Sequence, residues 1–337
     1  MKRQLGKSGI DVSAIGMGCW AIGGPFTGYG AQIGWGEVDD AESITALRAA
    51  YEHGITFFDT SDAYGTGHSE KIIGKAFANM RDKVVIATKF GNVIDRPNRA
   101  LVGQQADEAY VREACEASLQ RLQTDYIDLY QFHLGDYPAE EAPAVMAVLE
   151  TLVSQGKIRS YAWSTDNAAN AAVFAEGAHC AAVQHRLNLF EDAPDIIALC
   201  EAHNLASVNR SPLAMGLLSG KYSAQSDFAA NDIRATPDLG WMAYFKNGKP
   251  NPELLKRLEG IRDILTSNGR SLVQGSLAWL LARSPQTIPI PGIRTVVQAV
   301  ENAGAMALGP LRPQQMAEIE ALLRPETAIK NGRLTHS

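Results

Sequence analysis

The chain has 337 residues, of which 46% are hydrophobic and 20% charged, with a formal net charge of -6 and a pI near 5.7. This length suits one large barrel or two ordinary domains, and 30 glycines and 15 prolines exclude a low-complexity chain. The slightly acidic balance argues against nucleic acid as the main partner, and the lack of long apolar runs argues against a membrane.

Strand-like and helix-like segments alternate through almost the whole chain. A hairpin that turns at Ser8 and Gly9 is predicted first, and eight strands follow, each leading into a helix. Most of these strands are continuous apolar runs, which is typical of strands buried on both faces. Eight βα units predict an α/β fold of the (β/α)₈ or TIM barrel type. The predicted strands are IGMGC (15–19), ITFFD (55–59), VVIATKF (84–90), IDLYQFH (127–133), IRSYAWS (158–164), AAVQ (181–184), LASVNR (205–210) and TIPI (287–290).

Two helices outside this repeat, residues 252–268 and 313–323, are expected as additions to the barrel. No composition break divides the chain. We therefore predict a single domain over residues 1–325 and a loose tail over residues 326–337.

Two long loops, residues 21–37 and 222–250, follow strand ends and carry several aromatic side chains. Loops of this length without secondary structure are usually functional. Their aromatics are expected either to pack locally or to line a substrate pocket.

A glycine-rich motif at the first strand admits a different interpretation. Residues 16–21, GMGCWA, match the GxGxxA pattern of dinucleotide-binding Rossmann units. That pattern has to open a helix directly, whereas Gly23, Gly24 and Pro25 follow here. We favour a strand that runs into a loop.

The amino terminus and the cysteines indicate a reducing compartment. The first residues, MKRQLGKSGIDVSAIG, lack the apolar core of a signal peptide. Cys19, Cys115, Cys180 and Cys200 are widely spaced and form no CxxC pair, as expected of buried free thiols. We expect a cytoplasmic protein.

Four reactive side chains stand at or just after three successive strand ends: Asp59, Tyr64, Lys89 and His133. Taken singly, each has a plain structural interpretation, such as a cap or a core histidine. The C-terminal ends of barrel strands open onto one face, however, and that face is where barrel enzymes do chemistry. The four groups are therefore predicted to meet in one pocket.

Together, these groups suit proton transfer by a tyrosine. The pKa of a phenol is near 10, and an ammonium such as that of Lys89 is expected to lower it. Asp59 would keep Lys89 charged, and His133 would orient a carbonyl oxygen. This arrangement fits the protonation of an oxyanion that forms when hydride attacks a ketone or aldehyde.

At these residues the chain resembles the aldo-keto reductases, which are NAD(P)H-dependent oxidoreductases built on a (β/α)₈ barrel. The motifs FFDTSDAYGTGHSE, VVIATKFG and RLQTDYIDLYQFH carry the resemblance, which covers nearly the whole chain. It implies a catalytic tetrad of Asp59, Tyr64, Lys89 and His133, with Tyr64 as general acid/base.

The resemblance also implies coenzyme contacts. Leu187 stands where the family usually has an aromatic residue against the nicotinamide, and Thr165 replaces an asparagine. Arg294 suits the 2′-phosphate, so NADP(H) is favoured and NAD(H) stays an alternative. The implied coenzyme contacts are Trp20, Ser164 and Gln184 at the nicotinamide, Ser211, Leu213, Gly216 and Lys221 at the pyrophosphate, and Gly292, Arg294, Gln298, Glu301 and Asn302 at the adenosine end.

We predict an NADPH-preferring reductase of a small carbonyl compound that could also oxidise the alcohol. The residues expected to form the substrate wall are Trp20, Tyr29, Trp35, Phe90, Trp163 and the aromatics of residues 222–250. The histidines show no metal-ligand spacing such as HExxH, so no metal is expected.

Three alternatives stay open. The chain could be a coenzyme-binding redox sensor that serves another protein, because such family members keep the tetrad. It could be a barrel hydrolase or lyase without coenzyme, although the implied coenzyme residues would then be unexplained. Self-association into a homo-oligomer is also compatible with the family.

Overall fold

Eight parallel strands form one sheet whose two edges meet. The computed structural model describes residues 1–237 and 239–323. Each strand pairs with its neighbours in chain order. The backbone N–H groups of Gly16 and Gly18 donate to the carbonyls of Pro289 and Pro291, both at 2.9 Å, which joins the last strand to the first. The predicted barrel is confirmed. Its strands are β1 (Met17–Gly18), β2 (Phe57–Asp59), β3 (Val85–Phe90), β4 (Ile127–Phe132), β5 (Ile158–Ser164), β6 (Cys180–Arg186), β7 (Ala206–Arg210) and β8 (Thr287–Pro289).

Helices surround the barrel and begin at recognisable caps. The carboxylate of Asp39 accepts the N–H of Glu42 at the first helix, and Ser271 forms a capping box with Gln274 at the eighth. The helices are α1 (Asp40–Glu52), α2 (His68–Phe77), α3 (Glu108–Leu122), α4 (Ala142–Ser154), α5 (Ala168–Ala175), α6 (Pro194–Ala202), α7 (Pro252–Thr266), α8 (Leu272–Arg283), α9 (Val296–Leu308) and α10 (Pro313–Leu323). In the described part of the chain, no helix is long and apolar enough to cross a bilayer.

Two apolar layers result from the alternation of side chains along each strand. Ala87 and Leu129 belong to the layer inside the barrel, whereas Phe90 and Tyr130 belong to the layer between strands and helices. Toward the C-terminal strand ends, the inner positions change from apolar to polar. Those polar inner residues are Asp59, Lys89, Gln131, Ser164 and Gln184, and all five are buried.

The predicted N-terminal hairpin is present and closes the opposite end of the barrel. Lys2–Gln4 pairs with Asp11–Ser13, and Gly9 supplies the left-handed turn with φ 72°. Leu5, Ile10 and Val12 pack into the same apolar layer as the barrel interior.

The two long loops contain more regular structure than we expected. Thr27–Gly28 and Ala31–Gln32 join Asn92–Asp95 and Ala100–Gln104 in a four-stranded sheet, which the sequence did not predict. An antiparallel bridge between Trp35 and Asp232 connects the first loop to the second.

Within the second loop, Phe245–Lys246 pairs with Lys249–Pro250. The tail predicted at residues 326–337 lies outside the described residues. The single-domain boundary at residue 325 also lies there and stays a prediction.

Candidate active site

The C-terminal mouth of the barrel holds a buried ion pair in contact with a phenol. The Nζ of Lys89 donates to Oδ2 of Asp59 at 2.7 Å, to the carbonyl of Thr60 at 2.7 Å, and to the hydroxyl of Tyr64 at 3.1 Å. Lys89 is 0% exposed and Asp59 2%. An ammonium buried this deeply needs such partners to stay charged. The structure therefore brings three of the four predicted catalytic residues into direct contact.

Tyr64 is positioned by a tight turn beneath the loop that follows β1. Gly65 has φ 58°, and a Cβ atom there would lie 1.8 Å from the carbonyl oxygen of Gly23. Only glycine permits this close crossing. The Trp20 ring from the same loop stacks on the Tyr64 ring with centroids 5.9 Å apart.

His133 faces Tyr64 across the cavity, with ring centroids 6.2 Å apart at 84°. Its Nδ1 lies 3.3 Å from Oγ of Ser61, and that oxygen is also 3.1 Å from the carboxyl group of Asp62. This contact leaves Nε2 of His133 for a ligand. Burial lowers the pKa of His133 well below 6.5, and the charges of Lys89 and Arg210 add to the effect. The imidazole is therefore neutral near pH 7.

The expected lowering of the Tyr64 pKa is wrong for this structure. Burial raises the pKa of Tyr64 above 10, although Lys89 and Arg210 act to lower it. Burial also disfavours the charged form of Lys89, but the attraction of the Asp59 carboxylate and the hydrogen bonds to Asp59 and Tyr64 outweigh it and raise the Lys89 pKa above 10.5. The resting site thus contains a neutral phenol held by an ammonium.

Asp59, Tyr64 and His133 line a cavity of about 920 Å³ at the barrel mouth, and the fully buried Lys89 lies beneath it. Most of the residues predicted from the sequence contribute to its wall. They are Trp20, Trp35, Asp59, Tyr64, His133, Ser164, Thr165, Gln184, Ser211, Leu213, Gly216, Lys221, Tyr222, Trp241, Gly292, Arg294, Gln298, Glu301 and Asn302.

Six residues predicted for the substrate wall do not line this cavity: Phe90, Trp163, Tyr29 and, from residues 222–250, Phe228, Tyr244 and Phe245. Phe90 and Trp163 are both 0% exposed and point outward, because they alternate with the inward-facing Lys89 and Ser164. Phe90 stacks on Tyr130 at 4.5 Å. Both residues are core residues, and the prediction was wrong for them.

Tyr29 is 60% exposed. Its hydroxyl donates to Oδ1 of Asn92 at 3.0 Å, so its ring belongs to the outer loop sheet. Within the second loop, Phe228 and Phe245 pack edge to face at 5.1 Å. Local packing therefore accounts for that pair of loop aromatics.

The sequence predictions missed Gln131, which is buried beneath the cavity, and Arg210, which lines it. Gln131 is fully buried beside Asp59, and strict alternation from Lys89 and His133 would have found it. Leu187 is 0% exposed in the outer core, whereas Arg210 lines the cavity and pairs with Asp166. Arg210 could have been found from the sequence, because it is a charged residue at the end of a barrel strand.

The segment after β7 has a strained backbone. Ser211, Ala214 and Met215 have φ values of 53°, 48° and 56°, which side chains other than glycine rarely adopt. Such strain is concentrated at functional sites. The cavity passes directly over this loop, from Ser211 to Lys221.

The far end of the cavity carries an unpaired amide and a guanidinium. Within residues 1–237 and 239–323, Nδ2 of Asn302 has no hydrogen-bond partner although it is buried. An unpaired buried amide is costly, so this atom is suited to a ligand. Arg294 lines the same end, where its Nη1 and Nη2 donate to the carbonyls of Trp35 and Glu37 at 3.1 and 2.6 Å.

Comparisons with known proteins agree over almost the full length. The model of the "Aldo/keto reductase family" matches residues 14–324. The protein "Aldo-keto reductase YhdN" of Bacillus subtilis (strain 168) is 34% identical over 297 residues, covering 86% of this chain and 84% of that protein.

Solved structures show the same similarity. The glycerol dehydrogenase AKR11B4 from Gluconobacter oxydans has a TM-score of 0.81 and 27% identity, with 99% of both chains covered. An aldo-keto reductase from Klebsiella pneumoniae, in complex with NADPH, has a TM-score of 0.69 and 27% identity, covering 99% of this chain and 100% of that one.

Proposed function

The chain belongs to the aldo/keto reductase family, and on this premise we propose that it reduces an aldehyde or ketone to an alcohol with NADPH, or runs the reverse oxidation. The observation that carries the proposal is the contact of the Lys89 ammonium with both Asp59 and the Tyr64 hydroxyl at the floor of the cavity. A phenol, an ammonium and a neutral imidazole around one space suit proton transfer to a carbonyl oxygen.

The residues around the cavity fit a nicotinamide dinucleotide. Gln184 and Ser164 would hold the carboxamide, and Arg210 is the cavity residue available to the ring in place of Leu187. The strained loop after β7, with the cation of Lys221, would hold the pyrophosphate. The unpaired Nδ2 of Asn302 supports its assignment to the adenine.

NADPH, when bound, supplies the hydride for the carbonyl carbon. Tyr64 then gives its hydroxyl proton to the developing alkoxide. Lys89 stabilises the phenolate that is left, and Asp59 keeps the Lys89 ammonium in place. In the tautomer whose Nδ1 accepts from the Ser61 hydroxyl, the neutral His133 donates its Nε2–H to the carbonyl oxygen and fixes its orientation.

The resting protonation state of Tyr64 is the one that the reduction uses. Because burial raises the pKa of Tyr64, the residue is a proton donor throughout the neutral range. The reverse oxidation needs the phenolate as a base and so must first remove that proton. In the resting site, the Lys89 ammonium alone does not remove the proton from the Tyr64 hydroxyl.

The preference for NADPH rests on Arg294. Its guanidinium has five N–H donors, and the loop carbonyls of Trp35 and Glu37 accept one N–H from Nη1 and one from Nη2. The remaining donors are available to a phosphate dianion.

The proposal is tested by following NADPH absorbance with a panel of aldehydes and ketones, while coenzyme binding is measured from tryptophan fluorescence. Carbonyl-dependent NADPH consumption is the expected result. Binding of NADPH with no turnover on any member of the panel would favour the redox-sensor alternative. No NADPH binding at all would favour a hydrolase or lyase.

A further inference from the structure

Gln131 is a buried polar residue of the site for which the mechanism above has no role. It faces the barrel interior from β4, opposite Lys89 on β3, and is 0% exposed. Its Nε2 donates to Oδ1 of Asp59 at 2.8 Å, and its Oε1 accepts from Nε2 of Gln184 at 3.0 Å. Nε2 of Gln184 also donates to Oδ1 of Asp59, at 2.7 Å. The three side chains therefore form a closed ring of hydrogen bonds.

This ring determines which atom Gln184 offers to the cavity. A primary amide has two N–H donors and one carbonyl acceptor. Asp59 and Gln131 take both donors of Gln184, and in the described part of the chain no group donates to its Oε1. A flipped Gln184 amide would place its oxygen against the Asp59 carboxylate and against Oε1 of Gln131. The unflipped orientation avoids both repulsions.

Gln131 contributes a constraint that Asp59 alone does not supply. With only Asp59 as partner, the Gln184 amide could rotate about its last torsion and turn its second N–H toward the cavity. The acceptor Oε1 of Gln131 takes up that N–H and holds the amide plane. Gln184 then presents an acceptor only, and its ligand must be a donor.

We propose that Gln131 is a positioning residue, which fixes the Gln184 amide so that its carbonyl oxygen accepts an N–H from the nicotinamide carboxamide. The inference rests on the proposed function, because it requires a nicotinamide coenzyme. Gln131 also joins this amide to the carboxylate that holds Lys89, so one hydrogen-bonded unit connects the coenzyme contact with the proton donor.

The test compares NADP⁺ with its 3-acetylpyridine analogue, in which a methyl group replaces the carboxamide NH₂. Dissociation constants are measured from tryptophan fluorescence, so no turnover is needed. The wild-type protein should bind NADP⁺ about tenfold more tightly than the analogue, which corresponds to one lost hydrogen bond. In Gln131→Met, which keeps the length but lacks the amide, this ratio should fall to about two.

A double-mutant cycle separates positioning from a general loss of packing. Gln184→Leu removes the acceptor itself and should also reduce the ratio to about two. Adding Gln131→Met to Gln184→Leu should leave the ratio unchanged, since Gln131 acts only through Gln184. Retained binding of NADP⁺ shows that each variant is folded.

The outcomes are distinct. Equal binding of both nucleotides by the wild-type protein overturns the inference and needs no variant to fold. An undiminished ratio in Gln131→Met overturns it as well, and so does a further fall when Gln131→Met is added to Gln184→Leu. Failure of the wild-type protein to bind either nucleotide would instead overturn the proposed function.

Discussion

The ammonium nitrogen of Lys89 lies 3.1 Å from the hydroxyl oxygen of Tyr64, at the inner end of the cavity. Burial nevertheless keeps the phenol protonated. The positive charge is therefore in place before it is needed, because the negative charge on the Tyr64 oxygen forms only as the proton leaves. Stabilisation that is stronger in the transition state than in the ground state accelerates the chemical step.

We expect Tyr64→Phe to lower kcat for carbonyl reduction by about 10² to 10⁴-fold, because the variant has no proton to donate. NADPH affinity, measured by fluorescence, should stay within about twofold of wild type, as expected for a loss confined to the chemical step. Tyr126→Phe is the matched control, since Tyr126 lies outside the cavity against Arg81. Wild-type turnover in Tyr64→Phe would contradict the mechanism.

Lys89→Met should lose stability as well as activity. Removing the ammonium leaves the Asp59 carboxylate buried without its cation, which costs about 3–5 kcal/mol of unfolding free energy. Urea denaturation would measure the loss. The double variant Asp59→Asn/Lys89→Met removes the unpaired charge and should recover much of the stability but none of the activity. Equal stability of the single and double variants would argue against a buried charge pair.

Asp62→Asn should stabilise the protein more at pH 8 than at pH 5. Burial and the nearby Glu70 raise the pKa of Asp62 from 3.8 to about 7. The folded state therefore binds the proton more tightly than the unfolded state, and this contribution is lost as pH rises toward 7. The advantage of the variant in unfolding free energy should grow by about 2–3 kcal/mol between these pH values. A constant difference would show that Asp62 titrates normally.

Substitution by alanine should reduce stability at Trp163 and should alter KM at Trp241. Trp163 is fully buried and its Nε1 donates to the carbonyl of Leu134 at 2.9 Å, so Trp163→Ala should lose about 3–5 kcal/mol of stability. Trp241 is 40% exposed and lines the cavity. Trp241→Ala should change stability by less than about 0.5 kcal/mol and alter KM across the carbonyl panel.

Arg294→Ala should reduce kcat/KM with NADPH by at least about tenfold more than with NADH, because a charge-assisted contact to the 2′-phosphate is lost. Any loosening of the loop at Trp35 and Glu37 affects both coenzymes alike, so it cancels in the ratio of kcat/KM with NADPH to kcat/KM with NADH. The two coenzymes are compared at one ionic strength. An unchanged ratio would falsify the assignment of Arg294.

The placement of Asp59, Lys89 and His133 could be predicted because each closes an apolar strand segment, and parallel strand ends share one side of a barrel. The prediction failed where one residue of register mattered. Phe90 follows Lys89 directly, and alternation sends its ring to the opposite face of the sheet. Applying that alternation strictly would also have identified Gln131.

Other properties depend on three-dimensional surroundings that a sequence does not contain. The direction of the Tyr64 pKa shift is a contest between burial and the attraction of Lys89, and burial is the larger effect. The short loop strands are two to five residues long and had no periodicity to detect.

The hairpin of residues 2–13 closes the lower end of the barrel, since Leu5, Ile10 and Val12 fill that opening. Among the described residues, this apolar layer separates Lys89 and Tyr64 from the lower end of the barrel, so we expect water and protons to reach them from the mouth. Once both reactants occupy the mouth, we expect that the proton given up by Tyr64 is not replaced. We therefore expect proton uptake from bulk solvent to wait for product departure, and each catalytic cycle to close with a reprotonation step that is separate from the chemistry.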